Sequence, residues 1–186
     1  MSTFDKIRVL VLAIATLGLF LVSRRALLNF RSHGFARFFA WETIILLVLL
    51  NCPYWFVNPL SARQVLAWTI LCASLFVLWR GVKLLKTAKP TQDRAETELY
   101  EFEKTSALVT SDIYRYIRHP LYASLLYLAC GAFLKDISWS SGVLFVVAII
   151  SLVATSVADE HECIKHFGSE YTEYMTTTKR FIPYLL

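Results

Sequence analysis

The longest uncharged stretch of the chain decides its fold; it covers residues 137–158 and reads ISWSSGVLFVVAIISLVATSVA. A helix needs about 20 mostly apolar residues to cross the hydrocarbon core of a bilayer, and this stretch reaches that length by itself. Four further apolar blocks precede it, at residues 7–22, 38–57, 65–79 and 121–134. We therefore predict an all-α integral membrane helical bundle of about five transmembrane helices, in which the first and fourth blocks are short for a crossing.

The composition of the 186-residue chain, 56% hydrophobic and only 18% charged, is unlike that of a soluble protein. Soluble domains usually carry about 25% charged residues, and a disordered chain needs low hydrophobicity. A soluble domain of this size could not cover so many all-apolar helices. A cleaved signal peptide at residues 7–22 is also disfavoured, because Arg24 and Arg25 follow directly and no small-residue cleavage site intervenes.

The basic residues indicate how the helices are oriented. They concentrate in residues 23–37, in residues 80–119 and in the tail from Lys165 to Arg180. Positive loops stay in the cytoplasm, and an outside N-terminus with five crossings brings all three groups, and the C-terminus, to that side. The net charge of +5 is thus a topology signal, and we expect no nucleic-acid partner. The membrane would be the inner membrane in a bacterium or the endoplasmic reticulum in a eukaryote.

Polar residues divide the chain into two regions. Residues 1–85 hold the three N-terminal transmembrane helices, and residues 86–186 hold the other two helices with polar segments around them. The first polar segment, residues 86–107, is predicted to be a solvated connector. The second, from Asp159 onward, has aromatic residues at helical spacing and is predicted to form an amphipathic helix in the interface, ended by Pro183.

One polar segment lies where the fourth helix is predicted to begin. It contains Arg118, His119, Pro120 and Tyr122. Proline suits the first turn of a helix, so Arg118 and His119 would lie beside the unpaired N–H groups of a helix start. Such a start favours an anion or a carboxylate. The ordinary alternative is that these residues are interfacial anchors.

The acids Asp159 and Glu160 leave the fifth apolar block at the same predicted side of the membrane. Because short connections make the fourth and fifth helices an antiparallel hairpin, these acids would face the start of the fourth helix. We predict a polar ligand site at the cytoplasmic interface, although the acids could also be flanking charges or salt-bridge partners of Arg118. Glu42, inside the second block, is a further candidate because an intramembrane acid is costly unless it works or is paired.

A metal site is not expected. His161, Cys163 and His166 have the residue types that bind zinc. On a helix, however, His161 and Cys163 would point about 200° apart and could not easily hold one ion.

Five motifs follow one another between residues 105 and 183. They are Leu108-Val109-Thr110-Ser111-x-x-Tyr114, Arg118-His119-Pro120-x-Tyr122, Asp159-Glu160, Phe167-Gly168-x-x-Tyr171-x-x-Tyr174 and Arg180-Phe181-Ile182-Pro183. In order and approximate spacing they resemble the isoprenylcysteine carboxyl methyltransferase family. The first three helices resemble that family only in being hydrophobic.

The resemblance implies a membrane enzyme that transfers a methyl group from S-adenosylmethionine, held in a cytosolic pocket, to a lipophilic or prenylated small molecule in the bilayer. By position it assigns cofactor contacts to Ser106, Ala107, Leu108, Val109, Tyr114, His119, Pro120, Leu121, Tyr122, Asp159 and Glu160. We expect His119 near the cofactor carboxylate, Tyr122 near its adenine, and Asp159 near a ribose hydroxyl or the amine. The substrate candidates are Arg118, Thr155 and Glu42, and no residue is assigned to the chemical step itself.

Two positions depart from the family pattern. Asp112 stands where the family usually has glycine, and we expect the turn to survive because aspartate tolerates left-handed backbone. Thr155 stands where the family has a substrate-facing arginine, which removes the obvious partner of a substrate carboxylate. Two alternative functions therefore remain: an NADPH-dependent membrane reductase of the sterol-reductase type, and a catalytically silent membrane interaction protein.

Overall fold

The computed structural model describes residues 2–30, 32–87 and 107–185. Within these ranges the chain forms six α-helices: α1 (Thr3–Ser23), α2 (His33–Asn51), α3 (Ala62–Thr87), α4 (Pro120–Phe133), α5 (Trp139–Phe167) and α6 (Ser169–Thr177). Short 3-10 helices cover Ala26–Leu28, Cys52–Tyr54 and Asp112–Arg115. The described residues contain no β-strand beyond a single parallel bridge between Ile117 and Lys179, so the prediction of an all-α bundle is confirmed.

Four of these elements are long and apolar enough to cross a membrane. They are α1, α2 with its following turn (His33–Tyr54), α3 and α5. The fourth apolar block forms α4, whose 14 residues measure about 21 Å at 1.5 Å per residue. This is less than the hydrocarbon thickness of about 30 Å, so α4 does not have the length of a full crossing.

Three boundaries differ from the apolar blocks, and polar residues that cap the helices explain two of them. α1 begins at Thr3 rather than near residue 7, since Ser2 and Asp5 form a capping box. α2 begins at His33, where the Ser32 side chain accepts a hydrogen bond from the backbone N–H of Phe35. α3 continues to Thr87, across the division placed after residue 85. The predicted connector, residues 86–107, lies almost wholly outside the described residues.

The short helix α4 lies at the centre of the bundle. It packs on α3 along its length and also contacts α2 and α5, whereas α1 packs chiefly on α2. Gly131 allows the close approach of α3, since a Cβ atom there would lie 2.7 Å from Cγ of Leu71. The hydroxyl of Ser74 donates a hydrogen bond to the Ser124 carbonyl at 2.7 Å. Small residues and interhelical hydrogen bonds are typical of helix packing in membranes.

We call the end of the bundle where α2 and α4 begin, and where α1, α3 and α5 finish, the site end. At the opposite end, buried polar side chains join the loops. The Asn51 amide donates hydrogen bonds to the carbonyls of Ala132 and Asp136, at 2.9 and 3.0 Å. Lys135 is fully buried; its Nζ lies 3.0 Å from Oε1 of Gln64 and 3.6 Å from the ring centroid of Trp68.

The C-terminal segment differs from the single amphipathic helix predicted for it. α5 does not end at the last apolar residue but continues to Phe167, so Asp159 and Glu160 lie within a helix. Gly168 then ends α5 with a φ of +63°, a conformation that glycine adopts at no steric cost. The short helix α6 follows, and the chain returns along the start of α4.

Candidate functional site

The C-terminal tail holds the segment before α4 in place through its backbone. The N–H of Lys179 donates to the Tyr116 carbonyl at 3.1 Å, and the N–H of Arg118 donates to the Lys179 carbonyl at 2.8 Å. The N–H of His119 donates to the Arg180 carbonyl at 3.2 Å. Residues far apart in the sequence therefore fix the orientation of Arg118 and His119 at the start of α4.

A buried carboxylate lies at the centre of this arrangement. Glu160 of α5 is only 4% exposed, and its oxygens accept hydrogen bonds from Nε of Arg118 at 2.7 Å and from Nε and Nη2 of Arg180 at 3.0 and 2.7 Å. Charge-assisted forks of this kind are strong and geometrically specific. Glu160 in turn holds the pKa of the Arg180 guanidinium above its usual range. The carboxylate thus joins α5, the start of α4 and the tail.

His119 connects this cluster with a second acid. Its Nε2 lies 3.3 Å from Oε1 of Glu160, and its Nδ1 lies 3.4 Å from Oδ2 of Asp159. Burial alone would lower the pKa of His119, but the two carboxylates outweigh it and raise that pKa above its usual value. The imidazole also stacks on the ring of Tyr122, with centroids 5.5 Å apart. The site therefore favours a cationic imidazole between two acids.

A cavity opens beside this cluster, and most of the predicted cofactor residues line it. Those that do are Leu108, Val109, Tyr114, His119, Pro120, Leu121, Tyr122 and Asp159. Ala107 is exposed and is not part of the wall. Glu160 lies behind the wall, bound by the two arginines. Ser106 lies outside the described residues.

Sequence reasoning assigned five further residues of this wall neither to the cofactor nor to the substrate. They are Leu85, Cys163, Phe167, Tyr171 and Tyr174. Asp159, Cys163 and Phe167 are spaced four residues apart and so lie on one face of α5. This spacing from Asp159 is the sequence pattern from which Cys163 could have been predicted as a wall residue. Burial raises the pKa values of Tyr171 and Tyr174, so both remain neutral phenols. The hydroxyl of Tyr174 donates to the Tyr114 carbonyl at 2.5 Å and so connects α6 to the 3-10 helix before α4.

A second cavity of about 340 Å³ lies between α2, α3 and α4. Its wall is apolar and aromatic over most of its area and contains Trp41, Trp55 and Trp68. Leu121 and Tyr122, in the first turn of α4, line both this cavity and the first one. The two cavities therefore share a wall.

The three substrate candidates occupy different places. Arg118 lines the first cavity while it binds Glu160. Thr155 is fully buried in α5, where its hydroxyl donates to the Ser151 carbonyl at 2.7 Å, and it lines neither of these cavities. Glu42 accepts a hydrogen bond from Thr16 of α1 at 2.9 Å and also lines neither.

Asp112 has the left-handed backbone expected of it, with a φ of +56°. Its carboxylate forms an ion pair with Arg80 at the end of α3. The turn that the family pattern builds with glycine is therefore kept with an aspartate, and its side chain connects α3 to the segment before α4.

Another group of potential metal ligands lies close to the site. Ligand atoms of His33, Asp159 and Glu162 lie within 4.8 Å of one another. Nδ1 of His33 is 2.5 Å from Oε2 of Glu162, and Asp159 faces His119. The ion pairs His33–Glu162 and His119–Asp159 explain why these side chains lie close together. The first of them holds the start of α2 against α5.

The chain is similar to two curated proteins of Arabidopsis thaliana. Protein-S-isoprenylcysteine O-methyltransferase B is 29% identical to it over 121 residues, which cover 63% of this chain and 61% of the relative. Protein-S-isoprenylcysteine O-methyltransferase A is 27% identical over 121 residues, with the same coverage. The chain thus spans about 61% of the length of the curated relatives it matches. No family model and no solved structure matches the chain.

Proposed function

We propose that this chain is a membrane methyltransferase that uses S-adenosylmethionine to methylate a lipophilic acceptor. The observation that carries the proposal is the wall shared by the two cavities. One side of Leu121 and Tyr122 faces a cavity with charged groups, and the other side faces an apolar cavity inside a membrane bundle. The names of the two Arabidopsis relatives support the same reaction class.

The chemistry of the first cavity suits this cofactor. His119, Arg118 and the positive end of the α4 dipole offer partners for a carboxylate. Asp159 offers an acceptor for hydroxyl or ammonium groups, and the aromatic side chains offer stacking surfaces for a purine. The volume of this open cavity is about 90 Å³, below the roughly 300 Å³ of a typical ligand pocket. The cofactor would therefore fill this volume with one part and extend beyond it with the rest.

The residues of the wall would act by positioning and by excluding water. When bound, the cofactor supplies a sulfonium methyl group that is already activated. Leu121 and Tyr122 present apolar surface in the wall that the two cavities share, and Tyr122 is held by its stacking on His119. Holding two reactants in line contributes a large share of the rate of such a transfer, which agrees with the lack of an assigned general base.

We place the site end toward the cytoplasm. Arg24, Arg25, Lys83 and Lys86 lie at that end, on helices α1 and α3 or just beyond them. Basic residues are retained on the cytoplasmic side. The acceptor would then reach the second cavity from the bilayer and the cofactor would reach the first from the cytosol.

Calorimetric titration of the purified full chain in lipid nanodiscs tests the proposal. We expect saturable binding of S-adenosylmethionine that is lost in His119→Ala and Asp159→Ala and kept in the control His161→Ala, which changes an exposed histidine. Because the first two variants disturb the ion-pair cluster, Val109→Trp provides an independent variant that fills the cavity sterically. Mass spectrometry with a deuterium-labelled methyl donor would then identify methylated lipids.

Three results would overturn the proposal. Saturable binding of NADPH without S-adenosylmethionine would indicate a reductase. Binding of neither ligand would indicate an interaction protein. Binding of S-adenosylmethionine that Val109→Trp leaves unchanged would place the cofactor outside the cavity described above.

A further inference from the structure

We propose that His33, the first residue of α2, is a positioning residue of the cofactor site: its imidazole lies beside two neighbouring acids of α5 and keeps one of them, Asp159, directed at the first cavity. The inference rests on the proposed function, because it takes Asp159 as a cofactor contact. It deepens that function by naming a residue that acts on the cofactor through another side chain. His33 lies outside the motifs that resemble the methyltransferase family, and it does not line the cavity itself.

The side chain of His33 is fully buried and binds Glu162 of α5. Its Nδ1 lies 2.5 Å from Oε2 of Glu162, and the backbone N–H of His33 donates to Oε1 of the same carboxylate at 3.2 Å. Glu162 thus binds both the imidazole and an N–H that has no partner within α2, at the helix end where a negative charge is favoured. This pair fixes the imidazole against one face of α5.

Asp159 lies three residues before Glu162 on the same face of α5. Ligand atoms of His33, Asp159 and Glu162 lie within 4.8 Å of one another. Two carboxylates so close together repel each other unless a positive charge lies beside them, and an imidazole beside two carboxylates favours its cationic form. His33 therefore balances the two acids and allows both to remain charged side by side.

Asp159 is the member of this pair that reaches the first cavity, whereas Glu162 is not part of the wall. Asp159 also faces His119, whose Nδ1 lies 3.4 Å from its Oδ2. Without the charge of His33, repulsion by Glu162 would turn Asp159 away from the cavity or make it take up a proton. Either change would weaken Asp159 as an acceptor for the ammonium or hydroxyl groups of the cofactor.

Titrations of three variants with S-adenosylmethionine test the proposal. The calorimetric experiment is repeated on the full chain in nanodiscs at about pH 6, below the usual histidine pKa of about 6.5. The variants are His33→Gln, Glu162→Gln and the double variant, and all of them leave Arg37, a further positive charge near His33, in place. His161→Gln, which changes an exposed histidine of α5, is the matched control. Unfolding midpoints of the same samples separate loss of binding from loss of the fold.

We expect His33→Gln to weaken S-adenosylmethionine binding about tenfold, because Glu162 then repels Asp159 without a balancing charge. Glu162→Gln should change the affinity by less than about twofold, and the double variant should regain the parent affinity, because the two substitutions compensate each other. A residue that merely holds α2 against α5 would behave differently. Glu162→Gln breaks the same contact, so the double variant would then bind no better than His33→Gln.

Unchanged affinity in His33→Gln would overturn the inference, as would a double variant that does not recover. If His33→Gln fails to fold, the double variant and Glu162→Gln decide alone: parent-like affinity in both supports the inference, and weaker binding by the double variant overturns it. Absence of S-adenosylmethionine binding to the parent protein would overturn the proposed function and this inference with it. A failure confined to the variants would leave the proposed function standing.

Discussion

The guanidinium of Arg180 in the C-terminal tail donates two hydrogen bonds to the carboxylate of Glu160 in α5, from Nε at 3.0 Å and from Nη2 at 2.7 Å. The same carboxylate binds Nε of Arg118 at 2.7 Å. One buried acid therefore holds the tail and the start of α4 against the longest helix, and the first cavity lies beside this junction.

Glu160→Gln should strongly destabilise the site end. Removing the charge would leave the largely buried Arg118 and the half-buried Arg180 without their shared counter-ion, and breaking a buried ion pair typically costs about 3 kcal/mol or more. We expect a lower midpoint of thermal unfolding by scanning fluorimetry, together with weaker cofactor binding. Glu170→Gln, which changes an exposed acid of α6, is the matched control. A midpoint equal to that of the parent protein would show that the junction is not needed for stability.

Arg180→Lys should have a smaller effect than Arg180→Ala. Lysine keeps the charge but cannot reproduce the two parallel hydrogen bonds that the guanidinium makes with Glu160. We expect the unfolding midpoints to rank parent protein, Arg180→Lys and Arg180→Ala in descending order. An unfolding midpoint of Arg180→Lys equal to that of the parent protein would mean that the fork geometry contributes nothing beyond the charge.

Stability should fall as the pH rises above the usual pKa of histidine, and His119 should cause part of the fall. The folded-state pKa of His119 is raised, so its contribution is complete below the unfolded value of about 6.5. The contribution is then lost as the pH increases through the higher folded value. Unfolding midpoints measured from about pH 6 to pH 9 should show this slope in the parent protein and a smaller slope in His119→Gln. His161→Gln should behave as the parent protein does.

Blocking the first cavity should affect S-adenosylmethionine, whereas blocking the second should not. Val109 lines the first cavity and Leu78 lines the second. Val109→Trp should abolish binding of S-adenosylmethionine in the calorimetric titration described above, and Leu78→Trp should leave it unchanged. Loss of binding in both variants, with normal unfolding midpoints, would mean that the cavities are not separate binding sites.

Gly131→Ala should loosen the packing of α3 on α4. The added Cβ would lie 2.7 Å from Cγ of Leu71 and 3.2 Å from the Ala67 carbonyl oxygen, so the helices must shift, at a cost of about 1–3 kcal/mol. Gly18→Ala is the control, because nothing lies within 4 Å of its added Cβ. The two unfolding midpoints, compared in the same detergent, should separate clearly; a Gly131→Ala midpoint at or above the control would contradict this account of the packing.

The sequence was most informative where one physical pattern dominates. Apolar run lengths predicted the helices, and a proline after Arg118 and His119 predicted the start of α4 where it is found. The left-handed backbone of Asp112 was also predictable, because few residues adopt it. The family resemblance implied eleven cofactor residues, and eight of them line one cavity.

Other features depend on contacts between residues distant in sequence. Glu160 was expected at the cofactor, yet two arginines from different segments turn it away from the cavity. The extension of α5 to Phe167 is not visible in a hydropathy pattern, because charged residues continue the helix on its polar side. The apolar cavity exists only because α2, α3 and α4 come together there, and no local motif indicates that meeting.

The shortness of α4 has a consequence for where the two reactants meet. Its far end is held level with α2 and α3 by Asn51 and by Gln64, whose amide reaches the Lys135 carbonyl at 3.4 Å. Its 14 residues reach about 21 Å from there, whereas the 26 residues of α3 reach about 39 Å. The charged groups at the start of α4 lie level with Gly81 of α3 and Asp159 of α5, and both of these helices continue past them, to Thr87 and Phe167. In the proposed reaction the lipophilic acceptor would therefore stay within the bilayer, and the water-soluble cofactor would reach it at the depth of α4.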